Sequence, residues 1–213
     1  MKKEKKTTAL YMGSFDPFTK GHAYVVGEAL ELFDKVIIMV GVNSAKTGMF
    51  SMENRVSFIR ELYKDIPEER LEIIGHEGMT ADYIMSHPVD CIVKGVRNTK
   101  DCEYELQQND VNQFLLLGHY KHVPTVMIPC PSALAHISSS LCRDLICMYG
   151  FEDRECTREL SSLMPDGTTI RLKVQGVYNG WGAKTTFYFD YAGISYNPNE
   201  QFSIKKENLP IPV

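Results

Sequence analysis

The chain has 213 residues, 44% hydrophobic and 23% charged, which excludes a disordered or fibrous protein and suits one globular domain with a small appendage. Its net charge of −4 excludes a broad basic footprint for nucleic acid, so any anion site has to be local. No apolar run approaches the ~20 residues that span a bilayer, and no membrane partner is expected.

The basic start, MKKEKKTTAL, has no long apolar stretch behind it and reads as a solvated tail, not a signal peptide. Residues 9–12 then read as a short buried strand. The loop GSFDPFTKGH follows and leads into a helix with Val26, Ala29, Leu30 and Phe33 on one stripe. Residues 35–41 (KVIIMVG) form a second buried strand, followed by a loop that carries Lys46. A helix beginning near Met52 aligns Val56, Ile59 and Tyr63. Strands are predicted at 71–75, 90–93 and 123–128, and a long helix with a polar middle, QQNDVNQ, at 101–117. Residues 138–149 open on serines suited to N-capping and end before Gly150, a good residue just past a helix end.

Strands without polar alternation, separated by helices, imply a parallel sheet covered on both faces. The predicted fold is therefore α/β: a doubly wound, Rossmann-like, parallel five-stranded sheet over residues 1–165. A short helix is predicted at 157–164. Residues 166–213 read as a β-rich appendage, with alternating strands about an Asn179-Gly180-Trp181-Gly182 turn and with Phe187, Phe189 and Tyr191 on one face. The proline-bearing tail reads as irregular. Six cysteines without a CxxC pair or metal spacing read as buried, reduced thiols of a cytoplasmic protein.

In a doubly wound sheet, ligands gather at the carboxyl ends of the strands, where four segments are compatible with phosphate. Gly21-His22 begins a helix, whose free N–H groups and dipole attract anions, and Ser14 adds a hydroxyl. Lys46 follows the second strand. Lys94 and Arg97 flank Gly95-Val96 after the fourth. Ser138, Ser139 and Ser140 open a helix after the fifth. Any one of these alone is an ordinary surface lysine or helix cap; the four together mark a phosphate site. No Walker loop, GxGxxG fingerprint, catalytic triad or metal-ligand set is evident. Cations and helix ends without a protein nucleophile suit nucleotidyl transfer, in which the protein orients reactants and stabilises phosphoryl charge, with Mg²⁺ bridging the phosphates.

Three of these segments carry a resemblance. GSFDPFTKGH resembles the (T/H)xGH signature of the nucleotidyltransferase superfamily, and ISSS resembles its second, ATP-binding signature. KGVRNTKDCEYE resembles the RGxRxxxDFEYE element of bacterial phosphopantetheine adenylyltransferases. The resemblance spans about residues 8–165. It implies transfer of AMP from ATP to 4′-phosphopantetheine, giving 3′-dephospho-CoA and pyrophosphate in coenzyme A biosynthesis, with Mg²⁺ held by the phosphates.

By position, the resemblance implies that Ser14 contacts both substrates, that Phe15 lies beside ATP, and that His22 binds ATP and stabilises the transition state. Lys46, Thr80 and Lys94 would hold 4′-phosphopantetheine, with Ser14, Lys46 and Arg97 counted as catalytic beside His22. Gly95, Val96, Arg97 and Glu105 would line the ATP site, and Leu134, Ala135, His136, Ile137, Ser138, Ser139 and Ser140 would close over the nucleotide. It further implies a homo-oligomer, commonly a hexamer. Lys94 stands where arginine is usual, Leu134 where tryptophan is common, Cys102 for phenylalanine and Ser14 for threonine. Two other readings use the same residues. One is a nicotinate mononucleotide adenylyl- or glycerol phosphate cytidylyltransferase; the other is a nucleotide-binding scaffold acting through its C-terminal β segment.

Overall fold

The computed structural model describes residues 6–42, 48–149, 161–166, 168–175, 184–191 and 194–196. They gather into two compact units. The first contains β1 (Thr8–Gly13), α1 (Lys20–Leu32, from Gly21 onward), β2 (Lys35–Gly41), β3 (Leu71–His76), α3 (Thr80–Ser86), β4 (Cys91–Val96), α4 (Thr99–Leu117) and β5 (Thr125–Pro129). The second contains residues 15–20, α2 (Met52–Leu62), α5 (Ser139–Tyr149) and the strands β6 (Thr168–Gln175), β7 (Lys184–Tyr191) and β8 (Ile194–Tyr196).

The five strands of the first unit pair in the order β3-β2-β1-β4-β5, all parallel. The chain winds outward from β1 to β3, then crosses back to add β4 on the other side of β1. The strand order therefore reverses between β1 and β4, and the carboxyl ends of those two strands form the edge where such sheets receive ligands. Both faces are covered, as the unalternated strands require. Leu10, Ile37, Met39 and Ile92 bury against Ala81 and Ile84 of α3 and Leu116 of α4. Each such buried aliphatic side chain is worth about 1.5–3 kcal/mol. On the opposite face α1 packs so closely on β4 that a Cβ at Gly95 would lie 2.6 Å from Val25 Cγ2.

Two elements differ from the sequence expectation. Helix α3 was not anticipated: it is two turns long, too short to build a periodic stripe, and its N-cap residue, Met79, makes no side-chain cap bond. It ends at Ser86, and the next residue, His87, is extended, since the ring of Pro88 disfavours helical backbone there. Strand β4 runs on to Val96, past the expected end at 93, so Lys94 and Gly95 lie inside it. A buried lysine in a strand reads as a loop signal until its partner is seen. The polar middle of α4 is explained by β5 and the turn before it. Thr125 Oγ1 donates to Asn109 Oδ1 at 2.6 Å, and Gln113 Nε2 donates to the Val123 carbonyl at 2.5 Å.

α1 has no glycine at its end. Arg70 closes it instead, donating to the carbonyls of Leu30, Phe33 and Asp34 at 2.6–2.8 Å, a cation at the negative end of the helix.

In the second unit, β6, β7 and β8 form a separate antiparallel sheet in sequence order. Positions 187, 189 and 191 alternate along β7, opposite 172, 170 and 168. Of the helix expected at 157–164, the described part, 161–163, is helical. The Asn179–Gly182 turn, the basic N-terminal tail through residue 5 and the proline-bearing tail lie outside the described residues. Cys91 and Cys142 are buried free thiols, and Cys102 and Cys130 are half-buried ones.

Candidate active site

β1 ends at Gly13, and the exposed Ser14 follows at the sheet edge. β4, beside it, ends at Val96 and delivers Arg97 to the same edge. The third side chain comes from α1. Gly95 leaves no Cβ in the way of Val25, so α1 lies close against β4, and His22 stands one turn before Val25 on the first turn of that helix. The glycine thus has a packing consequence: it lets α1 bring His22 to the end of β4.

His22 is half-buried, and its pKa is lowered to about 4. Loss of solvent is the main cause, and the positive charge of Arg97 adds to it. The ring is therefore neutral near pH 7, on the first turn of a helix, a place whose backbone amides suit an anion. Tyr11 is buried, its hydroxyl beside the place where α1 meets Gly95. Burial first, then the acidic groups of Tyr63, Glu105 and Cys130, raise its phenol far above the ordinary value. Tyr11 is neutral at any working pH.

Lys94 lies on the α4 side of β4 at 6% exposure, with Nζ 2.7 Å from Glu105 Oε2. Arg97 makes a forked pair with Asp101, Nε to Oδ2 at 2.6 Å and Nη2 to Oδ1 at 3.0 Å. Asn98 caps α4 by accepting from the Asp101 amide at 2.9 Å, which sets the helix start and so the direction of both carboxylates. Thr80 is the buried first residue of α3. Leu134 ends a 3₁₀ turn, Ser132–Leu134, and is half-buried like Ala135, while His136 is exposed.

The remaining expected residues fall in the second unit. Phe15 is 2% exposed, its ring 5.5 Å from that of Phe18, with backbone at φ 47°. A left-handed phenylalanine is strained by roughly 1 kcal/mol and persists only where its surroundings hold it. Here the next residues are held twice. The Asp16 carboxylate accepts from the amides of Met49 at 2.6 Å and Phe50 at 2.9 Å, and its backbone carbonyl accepts from Arg143 of α5. Ser139 Oγ donates to the Pro17 carbonyl at 2.8 Å. Ser138 Oγ caps α5 by accepting from Leu141 at 3.0 Å, and the exposed Ser140 accepts from Arg143 at 3.1 Å. Ile137 is buried. Asp16 and Pro17 are thus tied to the start of α5 within the second unit, which their separation in sequence concealed. Lys46 lies outside the described residues.

Sequence reasoning missed Asp101 and Tyr11 as parts of the site. The i, i+4 spacing of Asp101 and Glu105 after two cations was a usable signal for the first; Tyr11 looked like any strand residue. Among the described residues, no cluster of three or more His, Cys, Asp or Glu could hold a metal ion, and no helix is long and apolar enough to cross a membrane.

A family model described as cytidylyltransferase-like matches residues 10–145. The chain is 37% identical over 166 residues to a phosphopantetheine adenylyltransferase of Porphyromonas gingivalis, covering 78% of this chain and 99% of that protein. It is 38% identical over 163 residues to the enzyme of the same name from Flavobacterium psychrophilum, covering 76% and 98%. In three dimensions it is similar to a bifunctional NMN adenylyltransferase/ADP ribose pyrophosphatase from Francisella tularensis. The TM-score is 0.51 at 16% identity, over 75% of this chain and 45% of that one, a likeness of fold.

Proposed function

Because this chain belongs to the cytidylyltransferase-like family, among its phosphopantetheine adenylyltransferases, we infer that it transfers AMP from ATP to 4′-phosphopantetheine. A phosphate oxygen of 4′-phosphopantetheine attacks the α-phosphorus of ATP. The bond from that phosphorus to the bridging α,β-oxygen breaks, pyrophosphate departs, and 3′-dephospho-CoA remains. The protein supplies no nucleophile. Its work is to hold two phosphate-bearing reactants in line and to meet the charge that grows on the phosphoryl oxygens.

The observation that carries this reading is His22: a neutral imidazole on the first turn of α1, desolvated and close enough to Arg97 to feel its charge. It is assigned to donate to the α-phosphoryl oxygen beside the α1 amides, with Ser14 at the same edge. Arg97 is assigned to the departing pyrophosphate and Lys94, with Lys46 and Thr80, to the acceptor phosphate. Phe15, Gly95, Val96, Glu105 and residues 134–140 are assigned to the nucleotide side. For Phe15 and Gly95 the support is indirect: one is buried in its own unit and the other makes room for Val25. Mg²⁺ is assigned to the triphosphate, since the carboxylates of the first unit's site already face cations; it would neutralise phosphate charge.

The reading includes cytoplasmic residence, a catalytic domain at 1–165 and an accessory segment at 166–213. It also includes a homo-oligomer, for which the support is apolar surface on α4: Tyr104, Val111, Phe114 (77% exposed) and Leu117. The test is substrate-dependent release of pyrophosphate from ATP, comparing 4′-phosphopantetheine with nicotinate mononucleotide, and from CTP with glycerol phosphate. Release with 4′-phosphopantetheine that falls strongly in His22→Ala supports the assignment. Release only with another acceptor, or turnover indifferent to His22, overturns it.

A further inference from the structure

At the carboxyl end of β4 each cation already has an anion. Lys94 is paired with Glu105 and Arg97 with Asp101, both from one face of α4, four residues apart. The Arg97–Asp101 pair uses the forked geometry that a guanidinium offers equally to a phosphate. The Arg97 backbone amide also leans on Asp101 Oδ2 at 3.3 Å. Glu105 Oε2 is buried, and apart from the Lys94 ammonium no hydrogen bond reaches it. Without a carboxylate beside it, the Lys94 ammonium would be a desolvated lone charge.

We propose that Asp101 and Glu105 are positioning residues that occupy the places of substrate phosphates. Asp101 holds Arg97 extended for the nucleotide's phosphates, and Glu105 holds Lys94 for the acceptor's phosphate. An arriving phosphate competes with the carboxylate for the same donors, and a departing one is replaced by it. The pairing keeps two cations poised and charge-balanced between turnovers. It also weakens the grip on pyrophosphate enough to let it leave. The inference rests on the phosphate roles proposed above for Arg97 and Lys94.

The full-length wild type and the variants Asp101→Asn, Asp101→Glu and Glu105→Gln would be titrated with inorganic pyrophosphate by calorimetry, and KM measured for ATP and 4′-phosphopantetheine. The Arg97–Asp101 pair is partly exposed, so removing its carboxylate charge should tighten pyrophosphate binding about two- to fivefold. Asp101→Asn should also lower KM for ATP while leaving that for 4′-phosphopantetheine alone. Glu105→Gln, at a residue also assigned to the nucleotide side, should lower KM for 4′-phosphopantetheine whatever its effect on that for ATP, and Asp101→Glu, which keeps the charge, should not tighten pyrophosphate binding. Asp101→Ala replaces the asparagine variant if that one does not fold. Pyrophosphate binding that is unchanged or weaker in a folded Asp101→Asn protein would overturn the proposal, as would a KM for 4′-phosphopantetheine that does not fall in Glu105→Gln. Variants that bind pyrophosphate in the expected order, with a wild type that shows no turnover with 4′-phosphopantetheine, would instead sink the adenylyltransferase reading.

Discussion

Acid should destabilise this protein partly through one side chain. His22 has a folded-state pKa of about 4 against about 6.5 for an unfolded histidine. Below pH 6.5 the unfolded chain takes up a proton that the folded protein refuses, so stability falls with pH through the window from about 6.5 down to about 4. Between about pH 7.5 and pH 5 the loss from this residue is at most about 2 kcal/mol, and half-burial brings it nearer 1. Urea unfolding of the wild type and of His22→Asn across that range isolates the effect. The asparagine variant should lose less stability on acidification, the two curves converging by that amount. Parallel curves would mean that the imidazole titrates normally, and the argument from desolvation and Arg97 would fail. Phosphate beside the ring should favour the cation, so ATP binding near about pH 5.5 should take up protons, seen as a buffer-dependent calorimetric heat.

Gly95→Ala puts a methyl 2.6 Å from Val25 Cγ2 and should destabilise by about 1–3 kcal/mol through overpacking. Adding Val25→Ala should return part of that in urea melts, and a second change that makes no difference would refute the close-packing argument. The Cys142 thiol is buried and its pKa is pushed up to about 12, chiefly by desolvation. Near pH 8 it should therefore resist alkylation in the native protein and react once urea unfolds it, as read by peptide mass mapping; rapid native labelling would contradict its burial.

Much of the sheet was legible because burial leaves a local mark. After Lys35, KVIIMVG has no polar residue, and it forms β2 over the anticipated residues; Met52 begins α2 as expected. Where the mark was weak the reading slipped. TADYIMS is two turns long and uncapped, and Lys94 is a charged residue inside a strand. The candidate site was legible as residue types. Ser14, His22, Lys94 and Arg97 were singled out because helix starts and cations after strands suit phosphate; Ser14 and Arg97 follow β1 and β4 and His22 belongs to α1, while Lys94 lies within β4. Their partners were not legible. Nothing near Phe15 in sequence says that its loop is held by Ser139 and Arg143, more than 120 residues away.

The sequence by itself determined the alternation of strands and helices, the parallel sheet and a phosphate-compatible set of side chains, because apolar periodicity and helix starts are encoded within a few residues. Only the tertiary structure decided what those side chains experience. Gly95 admits α1, α1 brings His22 to Arg97, and α4 lays Asp101 and Glu105 against the two cations. Charge and desolvation act through space, so the state of a histidine or lysine depends on which element folds over it.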